Sequence, residues 1–197
     1  MAAATRTGSR GPTTPAGLER GIAGGEGFDW QYPSPSARAA RQRAAILDGA
    51  CGKPWVFRCK DLVGWWSNPH HDRVGGREVG QPTAWVPRSK PIWLTELGCP
   101  AVDKGPNQPN VFPDPKSAEG GQPYFSTGGR SDLAMERFLA AHLSHWDDTA
   151  AGFSEQANPV SPLYGGRMVD ASRLYAWAWD ARPYPAFPPR RGQLARR

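Results

Sequence analysis

The sequence predicts an α/β chain organised around a parallel sheet. Three observations carry that expectation. Short apolar runs of strand type alternate with segments of helical periodicity, the connections between them are long and rich in proline and glycine, and no repeat of fixed period interrupts the order. With 197 residues, 39% of them hydrophobic, the chain has material for one ordinary domain with a real core. Its 23 glycines and 21 prolines are too many for a helical bundle and too few for a collagen-like or wholly disordered chain.

Taken in order, residues 1–20 are rich in Ala, Thr, Gly, Pro and Arg without periodicity and read as a disordered leader. A Gly-rich loop ending in aromatics, GIAGGEGFDW, opens the ordered part, residues 21–188. In PSPSARAARQRAAILDG, Ser34 is placed to cap a helix, Pro35 suits its first position and Gly49 supplies the stop. Ala39, Ala40, Ala44, Ile46 and Leu47 would form its apolar side. KPWVFR, Lys53 to Arg58, predicts a short buried strand, and a Pro/Gly/His-rich loop runs from about Asn68 to Ser89. KPIWLTELG, Lys90 to Gly98, predicts a second strand. Cys99 to Arg130 holds six prolines and almost no periodicity. Ser131 begins the clearest helix, SDLAMERFLAAHLSHW, with Leu133, Phe138, Leu139, Leu143 and Trp146 on one stripe. RLYAWAWDARP, Arg173 to Pro183, predicts a third strand, and residues 189–197 form a basic tail.

The formal net charge of +6 sits at the ends. Arg6, Arg10 and Arg20 against Glu19 leave the first 20 residues at +2; Arg190, Arg191, Arg196 and Arg197 make the last nine +4; the rest is neutral. A neutral folded part has no electrostatic footprint for phosphate-backbone binding, so no nucleic-acid partner is expected. No apolar run approaches the ~18 residues a membrane span needs. The N-terminus has charge but no apolar h-region, so no signal peptide is expected and the chain reads as made in the cytoplasm. Cys51, Cys59 and Cys99 are too few and too scattered for a disulfide framework and contain no CxxC spacing. Reduced thiols fit best, with one pair plus a free thiol left open.

Each expected strand meets a carboxylate at its C-terminal end: Asp61, Glu96 and Asp180. In a parallel α/β sheet those ends share one face, where loops build the site. Three acids arriving there either supply acid–base or nucleophilic chemistry or mark the points where the chain re-enters water. Glu96, after Ile92 to Leu94 and Thr95, is the strongest candidate, because a carboxylate at the lip of a buried strand is partly desolvated and fixed in place. Nine tryptophans are the other unusual feature. Indole faces suit the apolar faces of sugar rings, with acids and amides taking the hydroxyls. Trp65, Trp66, Trp85 and Trp179 are the candidates, while Trp55, Trp93 and Trp177 read as packing. His70, His71 and Asp72, and the pair His142 and His145, lack a third ligand at a known spacing, so neither a metal nor any other cofactor is expected. No GxGxxG, P-loop, GxSxG or HExxH pattern is present.

The segment KPIWLTELGCPAVDKGPNQPNVFPDPKS resembles the glycosidase-like TIM-barrel domain of gene transfer agent and phage tail host-specificity proteins. KPWVFRCKDLVGWWSNPHHDR, NPVSPLYGGRMVD, YAWAWDARPYPAFP and IAGGEGFDW are similar to its neighbouring segments, so the resemblance spans about residues 21–188. It implies a (β/α) barrel related to glycoside hydrolases, in a tail-tip protein that meets the cell envelope alongside other tail or baseplate chains. By motif position Glu96 would be the nucleophile of a retaining enzyme, at the end of the seventh strand. The acid/base residue would end the fourth strand, ~5–5.5 Å across from it. A complete barrel takes ~250 residues, so this chain is expected to form a partial barrel, roughly the last three β/α units, without that partner; only Asp61, Asp180 and Glu26 could replace it. The implied ligand is envelope polysaccharide or peptidoglycan, contacted or cleaved, in a virion-like particle tail once assembled. The alternatives are a noncatalytic structural or adhesion module and a nonfunctional remnant. An open three-stranded piece would leave sheet edges and aromatic side chains uncovered, making the chain poorly soluble or dependent on another chain.

Overall fold

The computed structural model describes residues 14–113, 118 and 120–177. In chain order these form α1 (Pro15–Ile22), β1 (Trp30–Gln31), α2 (Pro35–Ala39), β2 (Ala44–Ala45), a 3₁₀ turn (Pro54–Phe57), α3 (Leu62–Ser67), β3 (Arg73–Val74), β4 (Arg77–Glu78), β5 (Ile92–Leu97), a second 3₁₀ turn (Gly105–Asn107), α4 (Asp132–Trp146) and β6 (Val169–Ala176). The strands pair two by two: β1 with β2, β3 with β4, and β5 with β6. Among the described residues there is no closed barrel.

The first two pairs are antiparallel; the third is parallel. Its ladder begins where the Ile92 N–H donates to the Met168 carbonyl (2.7 Å) and ends where the Trp177 N–H donates to the Leu97 carbonyl (2.8 Å), so the partners advance together. Parallel neighbours require a crossover, and α4 lies between them in sequence, which makes β5–α4–β6 a β-α-β unit of the kind that builds parallel sheets. Gly98 closes β5 because nothing larger fits: a Cβ there would lie 1.6 Å from the Trp177 carbonyl oxygen.

Several expectations need correction. Residues 15–20, assigned to the leader, belong to α1. Ser34 does cap a helix, its Oγ accepting the Ala37 N–H at 3.1 Å, but α2 stops at Ala39 because Arg41 takes a left-handed φ of 56°. Ala44 and Ala45 then pair with Gln31 and Trp30. Lys53 to Arg58 is not a strand. Pro54 fixes the φ that starts a turn, and the Val56 and Arg58 N–H groups donate locally, to the Lys53 and Trp55 carbonyls. The loop after Asn68 contains the β3–β4 hairpin, whose Gly75 and Gly76 both take positive φ (57° and 79°) as a two-residue turn requires. The third strand starts at Val169, not Arg173. Helix α4 begins where expected, yet it buries Ala134, Ala141 and Trp146 and leaves Leu133 and Leu143 about half exposed. Of the expected stripe only Trp146 is buried, and the small Ala134 and Ala141, seven apart, complete the packed side.

The described residues divide into two compact units, one taking Glu19–Trp93 with His142–Ser172, the other Leu94–Ala141 with residues 14–18 and 173–177. In the first, Trp66, Met168, Val169 and Asn158 are fully buried. Asn158 is satisfied on both ends of its amide. Its Nδ2 donates to the Trp146 and Val169 carbonyls (2.8 and 3.0 Å), and its Oδ1 accepts the Val169 N–H (2.8 Å). In the second, Leu97, Cys99, Val102, Phe112, Ala134 and Ala141 are buried. Burial pushes the Cys99 thiol up to about 12. Asp103 organises the loop at 126–129, its carboxylate accepting from Ser126, Thr127 and Gly129, and the Thr127 backbone N–H leads in lowering its pKa to about 2.

Candidate functional site

The first compact unit carries the site, and local structure explains how. Asp61 is the N-cap of α3, its Oδ1 accepting the Gly64 N–H at 2.8 Å. Gly64 is required there: a Cβ would lie 2.8 Å from both Asp61 Oδ1 and the Trp55 Cβ. The cap sets the rotation of α3, which turns its two adjacent tryptophans to different surroundings. Trp66 is fully buried, its Nε1 donating to the Lys90 carbonyl at 2.7 Å. Trp65 stays 44% exposed and packs on aromatic neighbours.

Those neighbours come from positions five to twenty residues away in sequence. His70 reaches back to the Trp65 carbonyl through Nε2 (2.8 Å), with its ring 4.6 Å from the Trp65 ring. The Thr83 N–H donates to the His70 carbonyl (2.8 Å), which brings the following Trp85 over the imidazole. The two rings stack, 5.3 Å apart and 12° from parallel, and Trp85 lies 5.0 Å from Trp65. Trp55 approaches His70 at 5.9 Å. A cavity of about 550 Å3 opens beside this group, lined by Trp55, Trp65, Trp85, Asp61, Arg58 and Lys90 among others. That volume lies within the ~300–1,000 Å3 of ordinary ligand sites. The Trp85 Nε1 is buried without a hydrogen-bond partner among the described residues.

The sequence candidates therefore divide. Trp65, Trp85 and Asp61 come together at one cavity. Trp66 is a core residue, not a binding one. Asp61 is occupied, holding the Gly64 N–H and facing Arg58 at 3.9 Å, so its first task is to start α3. Glu96 is exposed on β5, belongs to the other compact unit, and has no hydrogen bond or ion pair among the described residues; the partial desolvation expected of it is absent. Trp179 and Asp180 lie outside the described residues. Trp55 and His70 were missed as site residues. The signal available for His70 was its position five residues after Trp65, behind an Asn-Pro turn that folds the chain back.

Several other polar groups of this unit are engaged. Asp48 accepts from the Cys51 and Lys53 N–H groups and from Arg73 Nη2 (2.8 Å), and the Arg73 guanidinium holds its carboxyl far below the usual range. Burial lowers the Lys60 ammonium, which donates to the Gly21 carbonyl at 2.8 Å and ties down the Gly-rich loop. On α4, burial drives His142 down to about 4, and its Nδ1 accepts the Trp146 Nε1–H at 3.1 Å. Cys51, Cys59 and Cys99 are all free thiols. Among the described residues, no group of three His, Cys, Asp or Glu side chains is placed to hold a metal ion, and no helix is long and apolar enough to cross a membrane.

The structure thus defines a mixed α/β protein with one β-α-β unit and an aromatic-lined cleft on a separate set of turns and short helices. The family model of the GTA TIM-barrel-like domain matches residues 2–188, and the chain belongs to this gene transfer agent family. The match takes in the residues read from sequence as a leader. No curated protein and no solved structure matches the chain.

Proposed function

We propose that this gene-transfer-agent-related chain is a glycan-contacting module of a tail host-specificity protein, and that it binds cell-envelope polysaccharide or peptidoglycan without cleaving it. The observation that carries this reading is the cleft lined by Trp55, Trp65 and Trp85, with His70 stacked on Trp85 beside it. Flat rings on several sides of one cavity suit the C–H faces of sugar rings, and the unpartnered Trp85 indole N–H, with Arg58 and Lys90 at the rim, supplies donors for hydroxyls. Retaining hydrolysis needs two carboxylates ~5–5.5 Å apart. Asp61 is committed to its helix cap, and no second carboxylate among the described residues lines the cleft, so binding is the better-supported activity. Other tail chains are the natural partners for apolar side chains exposed on this unit, such as Phe57 and Leu163.

The test is a binding isotherm on immobilised envelope polysaccharide and on peptidoglycan, run beside an assay for reducing-sugar release. Trp65→Ala and Trp85→Ala are expected each to weaken binding by about tenfold or more, on the scale of one lost aromatic anchor. Release of reducing sugar that disappears in Glu96→Gln would overturn the noncatalytic reading. Unaltered binding in both tryptophan variants would remove the cleft from the function.

A further inference from the structure

A second, smaller cavity of about 160 Å3 shares Trp55, Val56 and Trp65 with the aromatic cleft and is otherwise polar, lined by Lys53, His71, Arg73 and Glu78 among others. The volume is well below that of a whole-ligand site, ~300–1,000 Å3. It is the size of a substituent on something held next door. Its acceptors are already taken. Glu78 is bound by Lys53 (2.7 Å) and Arg73 (3.3 Å) and faces His71 Nδ1 at 3.9 Å, and beneath them Asp48 takes Arg73 Nη2. The Lys53 interaction leads in lowering the Glu78 pKa, which keeps this carboxylate ionised and committed.

Donors, by contrast, are left over. Arg73 Nη1 and His71 Nδ1 are buried with no hydrogen-bond partner among the described residues. A native structure that leaves two such atoms at one cavity is short of an acceptor there. The free Arg73 Nη1 belongs to a permanently charged guanidinium, and a hydrogen bond from it to a carboxylate is charge-assisted on both sides, so a ligand carboxylate completes this site better than a neutral hydroxyl does. We propose that the cavity at Lys53, His71 and Arg73 is an acidic-substituent subsite: a sugar ring stacks on Trp65 and Trp85, and the carboxylate of the same or the adjoining residue enters beside Arg73. The protein then selects uronate-bearing or otherwise carboxylated glycans. This rests on the glycan-binding reading and adds the ligand's class to it.

The experiment uses the full chain and one polymer in two forms: a uronate-containing bacterial envelope polysaccharide, and the same polysaccharide after carbodiimide and borohydride have reduced its carboxylates to alcohols. Wild type is expected to bind the native form about tenfold more tightly, the scale of a charge-assisted hydrogen bond. Lys53→Gln and His71→Gln are expected to abolish that preference while keeping the affinity for the reduced polymer. Trp65→Ala is expected to weaken binding to both forms. Equal affinity of wild type for the two polymers overturns the subsite and leaves glycan binding intact. A preference that survives in both polar variants also overturns it, by placing the recognition elsewhere. Binding of neither polymer overturns the glycan reading and the subsite with it.

Discussion

Trp65 and Glu96 each stand near the polar end of an apolar stretch, and the fold treats them in opposite ways. Around Trp65, a capped helix, an Asn-Pro turn and a returning loop bring rings from positions 55, 65, 70 and 85 together, with Trp55, Trp65 and Trp85 lining one cavity. Around Glu96, a strand of six residues leaves the carboxylate exposed beside the buried Leu97, and nothing among the described residues engages it. The lesson is that a residue type at a strand end is a weak pointer to a site. Convergence of side chains that are far apart in sequence, with polar atoms left unpaired, is a strong one.

The contrast can be broken most violently at the residue next to Trp65. Trp66→Ala would empty a fully buried indole site and strand the Lys90 carbonyl, costing about 3–5 kcal/mol in urea or thermal unfolding. A loss near zero would show that the two tryptophans do not face different environments. Acid comes next. His142 is held neutral by burial, with its pKa at about 4 in the folded chain against 6.5 for a free side chain. Stability is therefore full above about pH 6.5 and falls as the pH drops toward 4, because the unfolded chain takes up the proton that the folded one resists. The loss from this group is about 3 kcal/mol. His142→Gln should flatten that part of the pH–stability curve.

Asp61→Ala removes the α3 cap and should cost about 1 kcal/mol, whereas Asp61→Asn keeps a capping oxygen and should cost little. If Asp61 were catalytic instead, Asn would be as harmful to activity as Ala. The smallest stability effects belong to the two residues of the opening contrast. Trp65→Ala and Glu96→Gln should each change the unfolding free energy by no more than about 0.5–1 kcal/mol, since both side chains are substantially exposed. Only Trp65→Ala should then reduce glycan binding.

Much of the fold was legible where local chemistry acts alone. The Ser34 cap, the start of the helix near Ser131 and the strand at Ile92–Leu97 all follow from residues within one or two turns of each other. The failures share a cause. KPWVFR has strand-like composition, but a strand needs a partner, and Pro54 with its local hydrogen bonds offered a 3₁₀ turn instead. The helix at Pro35 stopped at Ala39 although alanines follow, because Arg41 turns left-handed and Ala44 and Ala45 pair with Gln31 and Trp30. The burial of α4 by Ala134 and Ala141, not by Leu133 and Leu143, depends on what it packs against, which periodicity does not contain.

By itself, then, the sequence determined the class of the chain, its family and the helix and strand starts that caps and prolines enforce, because these depend on short-range sterics and hydrogen bonding or on long matching runs of residues. Tertiary structure alone decided which tryptophan is core and which is surface, and that Trp55, His70 and Trp85 meet at Trp65. Those outcomes rest on loop closures over tens of residues and on the rotation of one short helix, and no local pattern encodes them.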